Sequence, residues 1–336
     1  NWNSALYLNV ALGYYHAGYF SRVFPALEKS WQLGRNAQSV PAQRMIDRAV
    51  GELAKMHSRL GHAKELEALL PEIEKRHVGG PATELLQGTR EGLWTFHHNP
   101  GIAYLCGPKA LENLLVTLKA DPKFVKIADD ARSGEHGVSL PELAALADKT
   151  KLKYTLIHRE SGQPIPVPSV IHWKVNHYAA ITSSDNGVYA VLDPTFSTIG
   201  GVPATAKAID AEGSGYFLVP NTVMKANAQA GWRVVSKNSA EAKEVYGMGW
   251  SNSNVPGLCS NCITMMEVPS NSPIMLAMTG ANANTNPVSL KLSDTPVGYA
   301  PQKGIPAYTQ IVYDQREDLQ NKLNAANRDL EKAKTA

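Results

Sequence analysis

The sequence predicts an α+β chain, and three observations carry that prediction. Apolar residues recur at helical spacing through the first 92 residues. Short strand-like runs cluster between 154 and 219, and no alternation of strand and helix threads through them. Helices first and strands afterwards is the order of an antiparallel sheet in an α+β fold, not of a doubly wound parallel one.

Composition narrows the classes. The 336 residues, at about 150 per domain, suit two domains or so, each long enough to bury a core. The 33 Lys+Arg against 30 Asp+Glu leave a formal charge of +3, spread rather than clustered, which argues against nucleic acid as partner. No apolar run approaches the ~18–20 residues that span a bilayer, so no membrane span is expected. Three cysteines do not make a disulfide scaffold in a chain this long. The first residue is Asn1 rather than Met, as expected of a mature or excised piece of something longer.

The expected boundaries are a helical domain over 1–92, a mixed domain over 93–220 and a β-rich or loop tail over 221–336 that ends in a helix. Within the first, 5–31 and 49–70 are two helical stretches that echo each other. Leu12-Gly13-Tyr14-Tyr15-His16-Ala17-Gly18 corresponds to Lys55-Met56-His57-Ser58-Arg59-Leu60-Gly61, with Gly18 and Gly61 at turns where antiparallel helices approach closely. The echo resembles the tetratricopeptide pattern, whose usual period is ~34 residues, with an insertion around 36–41. An ordinary helical bundle is the alternative.

In the second domain a helix should follow Cys106, and Ser139 should cap another with Pro141 and Glu142 in its first turn. Strands are expected at 154–157, 167–172, 176–182, 188–192 and 216–219. The tail is rich in Asn, Gly, Ser and Pro, with strand-like runs at 288–292 and 309–313. Leu319, Leu323, Ala326, Leu330 and Ala333 then fall in 4-3-4-3 spacing on a short helix.

The chemistry centres on Cys106. Leu111, Leu114, Leu115 and Leu118 line one face of the helix behind it, and Pro108 suits a first turn. The thiol therefore sits at a helix N-terminus, where unpaired amide donors favour a thiolate. A buried structural thiol is the bland alternative. Downstream, Asn176-His177-Tyr178-Ala179-Ala180-Ile181 and Val188-Tyr189-Ala190-Val191-Leu192-Asp193 flank turn residues at 183–187, the pattern of a hairpin. A turn centred on Asp185 sets His177 opposite Asp193, with Cβ atoms ~5 Å apart. Cys106, His177 and Asp193 then supply a nucleophile, a base and a carboxylate that orients it.

These residues, in this order, resemble the double-glycine leader peptidases, a papain-like cysteine peptidase family. The resemblance covers about 95–220 and rests on Cys-Gly-Pro-x-Ala-Leu at 106–111, the helix opened at Ser139, the proline-flanked 167–173 run, His177-Tyr178 and Asp193-Pro194. Transglutaminase-like folds share the Cys, His, Asp order with a shorter first interval, and come second. The resemblance implies peptide-bond cleavage after Gly-Gly, a polypeptide substrate and no cofactor or metal. It also implies an oxyanion-donating Gln six residues before the cysteine. That position is Pro100, so His98 and Asn99 become the candidate donors beside the backbone N–H of Cys106. A catalytically inactive relative that grips a Gly-rich segment is the rival reading.

Gly79-Gly80 and Gly200-Gly201 are candidate sites for cleavage of the parent chain itself. Cys259 and Cys262 are open to three readings: half a zinc site, a redox pair or a short disulfide loop, with a structural role favoured. The tail, at 288–299 and 313–317, resembles the region ahead of the repeats in secreted RHS/YD-repeat proteins. That resemblance implies an extracytoplasmic or secreted location, with the helical repeats recruiting a protein partner.

Overall fold

The computed structural model describes residues 2–80, 82–196 and 202–250. The tail strands, the C-terminal helix, Cys259, Cys262 and Gly200-Gly201 lie outside the described residues.

The N-terminal third is a run of helices: α1 (Trp2–His16), α2 (Phe20–Gly34), α3 (Val40–Arg59), α4 (Ala63–Glu74) and α5 (Ala82–His98). Gly18 ends the α1–α2 hairpin with φ +76° and Gly61 the α3–α4 hairpin with φ +70°, the left-handed conformation that ends helices cheaply only at glycine. The reason for glycine differs between the two. A Cβ on Gly18 would meet nothing within 4 Å, so Gly18 serves the backbone alone and not a close helix approach. One on Gly61 would lie 2.5 Å from the Met248 carbonyl oxygen and 2.7 Å from the Tyr104 ring, so that turn also admits a distant segment of chain.

Next come α6 (Pro100–Ala103), α7 (Cys106–Thr117), α8 (Pro122–Asp129), β1 (Val138–Ser139) and α9 (Leu140–Lys149). Ser139 caps α9 as its sequence predicts. Its hydroxyl accepts from the Glu142 N–H, and the Glu142 carboxylate accepts from the Ser139 N–H at 2.7 Å. The remaining elements are β2 (Tyr154–His158), β3 (Ser169–Trp173), β4 (His177–Asp185), β5 (Val188–Leu192), β6 (Val202–Thr205), α10 (Ala206–Glu212), β7 (Gly213–Pro220), α11 (Asn221–Ala226), β8 (Arg233–Val234), α12 (Ala240–Lys243) and β9 (Tyr246–Gly247).

Seven strands form one sheet in the order β6-β5-β4-β3-β7-β2-β8, and each neighbouring pair is antiparallel. The β4–β5 register corrects the expected one. The hairpin turns at Asn186-Gly187, with φ +49° and +78°, rather than about Asp185. Two successive positive φ values define the turn whose twist matches the flanking strands. Asp185 pairs with Val188 and Ala180 with Leu192, with a register slip between Ile181 and Ser183. Asp193 thus lies beyond the last pair of the ladder and not directly across from His177.

The side chains of the sheet alternate between two helical layers, as the pleat dictates. Ile157, Ile171, Ala179, Ile181, Phe217 and Val219 share a buried cluster with Leu12, Leu27 and Leu53 of the N-terminal helices. Leu156, Val170, Tyr178 and Leu218 share another with Leu111 and Leu114 of α7 and Leu143 of α9. The sheet is covered on both faces, which is why all five residues of β3 are buried. Leu114 is fully buried. Leu114→Ala should lower stability by about 2–5 kcal/mol, read from the denaturant midpoint, because the cavity opens where α7 meets the sheet.

Candidate active site

Cys106 is the first residue of α7, and no side chain caps that helix. Its first-turn amides have no partner within the helix, so they are available to a group arriving from outside. Cys106 N–H donates to the carbonyl of Gly249 at 3.1 Å, and the Gly249 N–H in turn donates to Cys106 Sγ at 3.2 Å. The thiol itself is fully buried.

His177 opens β4 and is also fully buried. Its Nε2–H donates to Asp193, whose two carboxylate oxygens both lie 2.9 Å away. The carboxylate is fixed by its own turn: Oδ1 accepts from the backbone N–H groups of Thr195 and Phe196, each at 2.8 Å. Phe196 packs edge-on against the imidazole at 5.6 Å and stacks on Phe20 at 4.4 Å, so the N-terminal helices brace the ring from behind. Nδ1, the other ring nitrogen, is buried and meets no conventional hydrogen-bond partner among the described residues. A Cβ built on Gly249 would lie 2.2 Å from that Nδ1 and 3.0 Å from Cβ of Cys106. The imidazole and the thiol therefore face one point.

Burial disfavours charge on His177, but the Asp193 carboxylate, its hydrogen bond and the Cys106 sulfur outweigh it and push the pKa up to about 10. The ring is an imidazolium at neutral pH, held between a carboxylate and a sulfur. The stability this charge contributes is fully present below the ordinary pKa of about 6.5 and is lost as pH rises through 10.

His172, two strand positions before the β3–β4 turn, behaves in the opposite way. Burial, with the charge on His177 adding to it, lowers its pKa to about 4 despite its bond to Tyr246. The neutral ring donates from Nε2 to the Tyr246 carbonyl at 2.8 Å and its Nδ1 lies 2.8 Å from the Ser214 hydroxyl. As pH falls from 6.5 through 4, the unfolded chain binds a proton that the folded chain refuses, so stability must fall. His57, lowered to about 3 by burial and by His62, acts in the same direction. Urea midpoints measured between pH 7 and pH 4 should decline steadily, and His172→Gln should flatten part of that slope.

The structure brings Cys106, His177 and Asp193 together. The other candidates lie elsewhere. His98 is exposed at the end of α5, stacked on Trp94 at 4.4 Å with Nδ1 bonded to the Trp94 carbonyl. Asn99 is exposed as the residue before α6. No hydrogen bond joins either to Cys106 or His177 among the described residues. The donor actually seated on a carbonyl oxygen is the Cys106 N–H. Lys109, the cation nearest in sequence, is buried and committed to Glu112 at 2.8 Å and to Asp129.

Sequence reasoning missed the closing strand. Residues 246–250, given no element of their own within the β-rich or loop tail, run through the site between β1, β4 and α7. Their one legible signal is Gly247-Met248-Gly249, two glycines facing the same side of an extended chain.

Fold and site together define a class: a mixed helical and sheet chain carrying a papain-like cysteine peptidase domain. Within that chain, residues 103–223 match the model of the Peptidase C39 family. Among solved structures, the crystal structure of a double glycine motif protease from an AMS/PCAT transporter, in complex with the leader peptide, is similar at 19% identity. The match covers 34% of this chain and 81% of that one, with a TM-score of 0.28. No curated protein matches the chain.

Proposed function

We propose that the chain is a cysteine peptidase that hydrolyses a peptide bond by attack of the Cys106 thiolate on the carbonyl carbon. The observation that carries this reading is a buried thiol whose side chain interacts with an imidazolium that Asp193 orients, with a carbonyl oxygen 3.1 Å from the Cys106 backbone nitrogen. In the reaction His177 holds the thiol proton, passes it to the leaving amine, and then takes a proton from the attacking water. Asp193 keeps Nε2 protonated, so that Nδ1 faces the sulfur. The Cys106 N–H, aimed by the start of α7, stabilises the charge that develops on oxygen. A fluorogenic peptide with Gly before the cleaved bond tests the reading. Turnover by the wild type with none by His177→Ala supports it, and equal turnover by the two refutes it.

A catalytically inactive module that grips a Gly-rich segment is the second reading. Two observations favour it: Pro100 stands where the related family carries a Gln, and Gly247-Met248-Gly249 already fills the cleft. Wild-type turnover dismisses it. As for setting, the tail's likeness to the pre-repeat region of RHS/YD-repeat proteins supports an accessory role within a larger exported protein, with the tetratricopeptide-like helices recruiting a protein partner. Detection of the chain outside the cytoplasm tests that setting.

A further inference from the structure

We propose that the peptidase's substrate is its own chain, cut between Gly249 and Trp250; the proposal rests on the peptidase reading above. Residues 245–250 lie in the cleft as a substrate strand does, fastened at every residue by main-chain contacts. The Val245 carbonyl accepts from the Leu140 N–H at 2.7 Å, and the Tyr246 carbonyl from His172. Tyr246 and Gly247 pair with Ser139 and Val138 of β1. The Met248 N–H donates to the Asn176 carbonyl at 2.9 Å and the Trp250 N–H to the Arg59 carbonyl at 2.7 Å. The Trp250 carbonyl accepts from the Thr195 hydroxyl.

This anchoring lays one residue, Gly249, against Cys106 through both its N–H and its carbonyl. The Gly249 carbonyl oxygen occupies the donor of the nucleophile's own backbone, and the sulfur lies against Gly249. Only glycine fits there. A Cβ on Gly249 would drive into His177, and one on Gly247 would come 2.4 Å from the Tyr178 ring and 2.8 Å from Cys106 Sγ. The alternation explains why Met248, whose side chain points away, is tolerated between them. The Gly79-Gly80 pair has no such cleft: both residues are exposed, and a Cβ on either meets nothing within 4 Å.

The step balances without any group beyond water. The Cys106 thiolate bonds the Gly249 carbonyl carbon, the Gly249–Trp250 C–N bond breaks, and the His177 proton leaves on the Trp250 amine. Water, losing one proton to His177, then hydrolyses the thioester, which frees the Gly249 carboxyl group, restores the thiolate and the imidazolium, and releases the second proton of water from the carboxyl group to solvent.

The test is intact mass and N-terminal sequencing of the full chain over time. Wild type should yield a piece ending at Gly249 and a piece beginning at Trp250, while Cys106→Ala stays whole. Gly249→Ala should slow the cut about 10²-fold, the cost of ~1 Å of displacement at the reacting atoms. A synthetic Gly-Met-Gly-Trp peptide is assayed alongside. If the chain stays whole while the peptide is cut in a Cys106-dependent manner, self-cleavage is overturned and the peptidase reading stands. If neither is cut, both fall. Cys106-dependent cleavage at a different bond overturns the assignment to Gly249.

Discussion

Cys106→Ala should lower peptide hydrolysis by about 10⁶-fold, the loss seen when a triad loses its nucleophile. The expected size follows from what the substitution leaves behind. The Cys106 N–H, Asp193 and the imidazole remain, yet no group in the cleft can form the covalent intermediate. Residual catalysis should come from the amide donor alone, which is worth about 10²–10³ in comparable sites. The assay is initial-rate hydrolysis of the Gly-Met-Gly-Trp peptide, with far-UV circular dichroism confirming that α7 and the sheet persist. A residual rate within tenfold of wild type would remove Cys106 from the mechanism.

Asp193→Ala should cost about 3–5 kcal/mol of stability together with most of the activity. The substitution leaves a fully buried imidazole without its counter-charge, and breaking one side of a buried pair costs more than the pair contributes. It also leaves the Thr195 and Phe196 amides without their acceptor, so the turn that packs Phe196 against His177 and Phe20 loosens. Asp193→Asn separates the two effects. The amide keeps the acceptor oxygen for the turn but removes the charge, so stability falls less, while the His177 pKa drops from about 10 toward its ordinary value. The alkaline limb of the pH–rate profile should move down with it. An unchanged limb would mean that Asp193 acts only as a structural cap.

The meeting of Cys106, His177 and Asp193 was legible because each residue rests on a local signal. The leucines behind Cys106 fix α7, the proline at 108 fixes its first turn, and the turn residues between two apolar runs mark the hairpin that brings His177 near Asp193. The register was less legible, because the turn centre was placed at Asp185 when Asn186-Gly187 is the pair able to take two positive φ values. The sheet's two faces also read alike in sequence, since α7 and α9 cover one and the N-terminal helices the other. Nothing local marks 246–250 as a segment that opens with a strand, β9. It is held extended by Arg59 of α3, by β1 and by the loop before β4, all remote in sequence. The oxyanion donor was sought among side chains before the cysteine, where His98 and Asn99 turn outward. The Cys106 N–H, the backbone candidate beside them, is the one that meets a carbonyl oxygen, that of Gly249.

The central claim is that Cys106, His177 and Asp193 form one electrostatic unit. Side-chain NMR of His177, titrated in the full chain from pH 5 to pH 11, tests it most directly. The imidazole should stay protonated until about pH 10, and its titration should move down in both Cys106→Ala and Asp193→Asn. A wild-type ring that titrates near 6.5, or one that neither substitution moves, would contradict the account.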